Sequence, residues 1–152
     1  MKFLLNQLYE ERIRGIDLEI VKTLVSKFYG IPRAILDGVP IIYQRLPEIY
    51  EVFVRRVGNS LQVVYKPIGK ILGLYDPLRK EIRIDYTLPY YEKIKTLIHE
   101  YIHVAQDYLG KLYKKSRRKI EEEAHMVSEY LSRIYNLVSQ KYFSSLSYPI
   151  RV

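Results

Sequence analysis

The sequence predicts one α+β domain, in which a small, mostly antiparallel sheet packs on two long helices and shorter helices come first. Three observations carry this. Between about Tyr90 and Leu109, apolar residues fall at Ile94, Leu97, Ile98, Tyr101, Ile102, Ala105 and Leu109, the spacing of one helix face. Ile120, Ala124, Val127, Leu131, Ile134 and Val138 repeat the pattern further on. Between them and the N-terminal third, Lys70 to Asp85 reads as a hairpin, with Asp76-Pro77 at its turn and period-two alternation from Glu81 to Asp85. At 152 residues and 48% hydrophobic, the chain has material for one core, so residues 1–152 are expected to form a single domain.

From the N-terminus, Asp17 is a natural N-cap for an amphipathic helix carrying Ile20, Val21, Leu24, Val25 and Phe28. Tyr29-Gly30-Ile31-Pro32 closes it, and a shorter helix is expected from Arg33 to Leu36. Helix, glycine turn and helix resemble a DNA-binding helix-turn-helix. The second element, however, runs at once into Asp37-Gly38-Val39-Pro40, which leaves little length for a helix in a major groove. Two packing helices are the plainer expectation. Leu46-Pro47-Glu48 then reads as the start of a helix over roughly Pro47 to Arg56, and Leu61 to Tyr65 as a strand.

The chemistry concentrates in His99-Glu100-Tyr101-Ile102-His103, which holds two of the chain's three histidines. Residues four apart on a helix lie one above the other, so both imidazoles can reach one Zn²⁺ at about 2.0–2.1 Å. Glu100 flanks the pair and can act on a water at the metal. The helix starts at Leu88-Pro89, with Pro89 in its first turn, and closes at Gly110 and a basic run. Its apolar stripe lies on the side away from His99 and His103, so the pair is not core filler.

A third ligand has four candidates in Glu121-Glu122-Glu123-Ala124-His125. At about 100° per residue, Glu123 lies roughly 60° from the centre of the apolar stripe of its helix, and Glu121, Glu122 and His125 about 100° to 200° away. Glu123 is therefore expected to point inward as the ligand. Glu121 and Glu122 read as solvated charges near the helix start, where the macrodipole favours them, and His125 stays as the alternative donor.

These residues resemble the gluzincins, the peptidase clan that includes thermolysin, over roughly Ile71 to Leu137. His99 to Tyr108, with Asp107-Tyr108 after the motif, is similar to the clan's active-site helix, and Glu123-Ala124 to its glutamate-ligand step. The small size resembles that of the minigluzincins. The resemblance implies a zincin-like fold, Zn²⁺ held by His99, His103 and Glu123, Glu100 as the general base, and a peptide or protein substrate. It also implies that the strand from Ile71 to Tyr75 is a cleft rim to which an extended peptide adds as a strand, the alternative being an interior hairpin. A latency tail from Ser144 to Val152 is a further implication. Two features depart from the pattern. The position four after Glu123, often acidic in the clan, is Val127, which leaves Asp107 as the substitute that could orient a histidine. Among sixteen tyrosines no oxyanion-stabilising residue stands out, although Tyr130 shares a helix flank with Glu123.

Composition narrows the setting. No cysteine is present, so thiolate ligands and disulfides are excluded. The apolar part of Met1 to Gln7 is short for a signal peptide, no apolar run approaches a membrane span, and a soluble cytoplasmic protein is expected. Few Met, no Trp and many Tyr, Ile, Lys and Arg suggest a thermophile. The net charge is +8, with Lys111, Lys114, Lys115, Arg117, Arg118 and Lys119 crowding the connection between the two long helices. That patch reads as a solvated loop. The alternative is a metal-stabilised nucleic-acid-binding or regulatory protein whose motif is not catalytic.

Overall fold

The structure, a computed structural model, describes residues 11–147, with side chains to Lys141. Helix α1 (Gly15–Tyr29) begins two residues before the expected cap, and Asp17 sits inside its first turn. There its carboxylate is 1% exposed and accepts hydrogen bonds from Tyr90 and Tyr135 hydroxyls and from Arg14 Nε. Gly30 takes φ +64 and lets the Gly30 amide close the helix on the Ser26 carbonyl. Helix α2 (Arg33–Asp37) follows, buries Leu36 and ends at Gly38.

Strand β1 (Ile41–Gln44) lies parallel to β5 (Glu81–Asp85), which pairs antiparallel with β4 (Gly73–Asp76), so the order is β1-β5-β4 and β4 is an edge. The Asp76-Pro77 turn falls where the sequence places it, with Asp76 Oδ1 accepting the amides of Leu78 and Arg79. Lys80 completes the turn at φ +55, and its ammonium reaches Asp107. Ile82 and Ile84 point into the core, as the alternation predicts.

Helix α3 (Tyr90–Tyr108) is the centre of the domain. It packs on α1, α2, α5 (Arg117–Ser147), β4 and β5. Ile94, Leu97, Ile98, Tyr101, Ile102 and Ala105 are sealed, while Leu109, expected in the stripe, is 40% exposed beyond the helix end. Gly110 (φ +75) turns the chain into the single-turn helix α4 (Lys111–Lys114), and Ser116 caps α5 by accepting the Lys119 amide. Among the described residues no helix is long and apolar enough to cross a membrane. The expectations for Met1–Gln7, and for the tail beyond Ser147, lie outside the described residues; Ser144 to Ser147 continue α5.

One element differs in kind. The helix expected over Pro47–Arg56 is instead strand β2 (Glu48–Val57), paired antiparallel with β3 (Ser60–Lys70) in a long ribbon. Ile49, Val52, Phe53 and Arg56 do fall at helical spacing, but Ile49, Tyr50, Val52, Phe53, Val54 and Val57 are β-branched or aromatic. Gly58-Asn59 adds a two-residue loop with its glycine at φ +62, which joins two strands of matching length. The strand read at Leu61 to Tyr65 is the middle of β3.

The ribbon is anchored at its base through Asp85, which is fully buried. Burial alone would raise its pKa. Hydrogen bonds from Thr87, the Leu46 amide and Lys70 outweigh that and hold it at about 2. A carboxylate depressed in the folded state stabilises the fold above its unfolded pKa of 3.8 and ceases to do so as pH falls towards about 2, worth about 2 kcal/mol. Thermal denaturation from pH 6 to pH 2 should therefore show a loss of stability concentrated below about pH 4, which Asp85→Asn reduces. An unchanged acid profile in that variant would show that Asp85 is not the group responsible.

Candidate metal centre

His99 and His103 stand one turn apart on the flank of α3 that meets α5 and β4, half-buried, with ring centroids 4.8 Å apart and planes at 80°. Their Nε2 atoms face each other at 3.2 Å. The carboxylate of Glu121, from the first turns of α5, closes the group: Oε2 lies 3.4 Å from His99 Nε2 and Oε1 3.3 Å from His103 Nε2. A tetrahedral ion with bonds of about 2.0–2.1 Å separates its ligand atoms by about 3.3–3.4 Å. The two ring nitrogens stand close to that edge length, one donor atom from each residue lies within 4.8 Å of the others, and the three residues form the one group of at least three potential metal ligands among the described residues. The donor set of two imidazoles and a carboxylate suits Zn²⁺.

The protonation pattern agrees with ligation. Burial, then the neighbouring His103, hold the His99 pKa below its ordinary value, which favours the neutral ring that a metal requires. At His103 the tautomer is set by Gln106. The Gln106 amide nitrogen donates to the Ile120 carbonyl (3.1 Å) and to Glu123 Oε2 (2.8 Å), so its oxygen is what faces His103 Nδ1 at 2.8 Å. An oxygen can only accept there. His103 therefore carries its proton on Nδ1 and presents a lone pair at Nε2, towards Glu121 and His99.

Glu123, the expected third ligand, is placed elsewhere. It is held by Gln106, by the Tyr29 hydroxyl (3.3 Å) and by Lys111 Nζ (3.3 Å), with Lys115 at 3.9 Å. Burial pushes its pKa up, but these hydrogen bonds win and lower it, so the carboxylate stays ionised. The structure thus brings together His99, Glu100 and His103 as the sequence predicts, and puts Glu121 where Glu123 was expected. The reason is helical phase. The residues of α5 that are buried are Ile120, Ala124, Val127, Ser128, Leu131, Ser132 and Tyr135, and their centre is turned by about 40° from that of the expected stripe, towards Glu121. Glu121 then lies about 60° from that centre and Glu123 about 100°. Asp107, the expected orienting group, binds Tyr75 Oη (2.6 Å) and Lys80 instead. His125 lines the cleft beyond His99 and is not in the three-residue group. Tyr130 is 55% exposed, its ring 6.1 Å from that of Phe28.

Glu100 is 6% exposed and lines both arms of the cleft. Burial, then the charge on Glu121, raise its pKa to about 8. One arm, about 740 Å³, runs past His103 and is walled by Ile49, Ile71, Leu74, Leu112 and Ile120, with Arg117 as its cation. The other, about 320 Å³, passes Glu92, Lys95, His125 and Glu129. Ile71 and Gly73 border both, so the edge of β4 runs along the whole cleft.

Gly73, which no sequence motif singles out, sets how closely that edge approaches. A Cβ there would lie 2.4 Å from Thr96 Cγ2, 3.2 Å from the Arg83 carbonyl and 3.4 Å from Glu100 Cγ. Gly73→Ala should cost about 1–3 kcal/mol in denaturant unfolding, and Thr96→Ser, which removes the clashing methyl, should restore part of it. Equal stability of Gly73→Ala and the parent would show that β4 yields freely.

Set against protein-family models, curated proteins and solved structures, the chain matches none, so its function has to be read from the residues themselves.

Proposed function

We propose that the protein is a zinc-dependent metallopeptidase of zincin-like fold, with His99, His103 and Glu121 as the zinc ligands and Glu100 as the general base. The observation that carries this is the convergence of two ring Nε2 atoms, 3.2 Å apart, on one carboxylate, whose two oxygens lie 3.3 and 3.4 Å from them, with the buried Glu100 beside the group. Zinc, when bound, would supply Lewis acidity, polarising a carbonyl and lowering the pKa of water towards about 7. The protein's own part is proton handling and placement. Glu100 accepts the proton of the attacking water and returns it to the amide nitrogen as the C–N bond breaks. The free edge of β4 offers amides and carbonyls to an extended peptide, and Gly73 lets that strand lie within reach of Glu100.

Gln106 and Glu123 act through His103. Held by Glu123 and the Ile120 carbonyl, Gln106 keeps the imidazole in the tautomer that ligates zinc, as outer partners of metal-bound histidines do. Gln106→Leu should weaken zinc affinity by about 10–100-fold, measured by competition with a chelating dye, without changing the secondary structure. Affinity equal to the parent would remove the residue from this role.

The rival reading, a non-catalytic basic binding protein, loses part of its basis in the structure. Three of the six cations around α4 are engaged: Lys111 and Lys115 with Glu123, and Arg118 with Glu122. Helix α2 is five residues long, short for groove recognition.

Two measurements test the proposal. Zinc content after purification should be near stoichiometric in the parent and in Glu123→Gln, and strongly reduced in His99→Ala and Glu121→Gln. Loss in Glu123→Gln with retention in Glu121→Gln would transfer the ligand role to Glu123. Glu100→Gln should keep its zinc and lose peptide-library cleavage by at least about 100-fold. Cleavage at the parent rate would overturn the mechanism.

A further inference from the structure

Among the described residues the β2–β3 ribbon packs against no other helix or strand, and most of its apolar residues face outwards. A two-stranded ribbon alone is marginal in water, and a contiguous apolar face of this kind marks a surface that is covered. The cross-strand register sorts the side chains, because directly opposed residues share a face. One face carries Ile49, Glu51 with Lys66, Phe53 with Val64, Arg55 with Gln62, and Val57 with Ser60, so charged and polar pairs interrupt it. Its base overlooks the cleft through Ile49.

The opposite face has a different pattern. Tyr50 with Pro67, Val52 with Tyr65, and Val54 with Val63 follow one another without a charge, and Leu61 extends the row at the tip. Val54 is 61%, Tyr65 66% and Leu61 70% exposed. Charges stand only at the two ends. Arg56, opposite Leu61, has no ionic partner among the described residues. Glu48, at the base, accepts a hydrogen bond from the Tyr50 hydroxyl (2.6 Å), while the Lys70 ammonium opposite it is turned to Asp85. The row therefore has an unpaired cation at one end and a carboxylate with no cation at the other.

We propose that a second copy of this chain docks on this face, ribbon against ribbon, in an antiparallel two-fold arrangement. Val52 is the midpoint between Glu48 and Arg56, so a two-fold axis at Val52 and Tyr65 sets Val54 of each copy over Tyr50 of the other. It also brings each Arg56 to the Glu48 of the partner copy, about 26 Å from its own. The parallel alternative stacks arginine on arginine and glutamate on glutamate. The contact uses the face turned from the cleft, so both metal centres stay open, and it does not depend on the proposed chemistry.

Sedimentation velocity on the full-length, metal-loaded protein across micromolar concentrations tests this, with circular dichroism as the check on folding. The parent should sediment as a dimer. Val54→Glu on the apolar face should weaken association at least about tenfold, while Arg55→Glu on the other face should not. Arg56→Glu and Glu48→Arg should each weaken it, and the double exchange should restore it. A parent that is monomeric throughout overturns the proposal, including one that instead co-sediments with anionic phospholipid vesicles. So does a dimer indifferent to Val54→Glu. Single reversals that weaken the dimer without recovery in the double exchange overturn the antiparallel pairing.

Discussion

Helix α3 has to serve the core and the candidate metal centre along one 19-residue length, and the elements packed on it are placed by that demand. Leu97, Ile98, Tyr101, Ile102 and Ala105 must be covered by α1, α5 and β5, while His99, Glu100 and His103, on an adjoining flank, must remain reachable. The flanks meet at Glu100 and Gln106, a polar pair sealed almost as completely as the aliphatic residues beside it. Each is tolerated for a different reason. Gln106 satisfies its amide with His103, the Ile120 carbonyl and Glu123, and so removes the cost of burying it. Glu100 is left with a raised pKa, because burial, with β4 close over it, and then the charge on Glu121 disfavour its ionised form. That is an expensive place for a carboxyl in a structural role, and a useful one for a group that must take up a proton.

What the sequence showed, and what it hid, follows from which contacts are local. The motif helix and the β4–β5 hairpin could be read because their periodicity and turn chemistry lie within one short segment. Strand β2 could not be, since Ile49, Val52, Phe53 and Arg56 fit a helical face and, among the described residues, no helix or other strand packs on the ribbon to impose alternation of burial; both faces are exposed. Its β-branched density and the Gly58-Asn59 loop were the available signals. Gln106 was invisible for another reason: its partners, Ile120 and Glu123, belong to a helix that docks from elsewhere in the chain, and sequence alone does not fix that docking. Asp107 was assigned to orient the histidines on spacing, but spacing cannot see that the β-turn brings Lys80 and Tyr75 to it first.

The buried aspartates show the same economy of placement. Asp17 draws hydroxyls from the start of α3 and the middle of α5, and Asp85 draws the base of the ribbon onto the sheet. Both sit where three segments meet, and both are fully hydrogen-bonded, as a buried charge requires. They fix the orientation of α3 relative to its neighbours, and therefore of the histidines. The ribbon is the exception to this closure: it is tied down at one end only, which is why its apolar face is open to a partner while its other face can border the cleft.

Glu121 and Glu123 illustrate how one helix assigns opposite duties to identical side chains. Two residues apart, they point about 160° apart on α5. Glu123 faces the basic connection, where Lys111, Lys115, Tyr29 and Gln106 converge on it; such a carboxylate has its lone pairs committed and is poorly disposed to bind a cation as well. Glu121, half-exposed, has only the two imidazoles against it among the described residues. Burial and the neighbouring ring hold the His99 pKa down, and a neutral imidazole does not neutralise a carboxylate. A divalent cation would. The basic cluster, by occupying Glu123, thus leaves Glu121 as the carboxylate that would hold the ion of the proposed function.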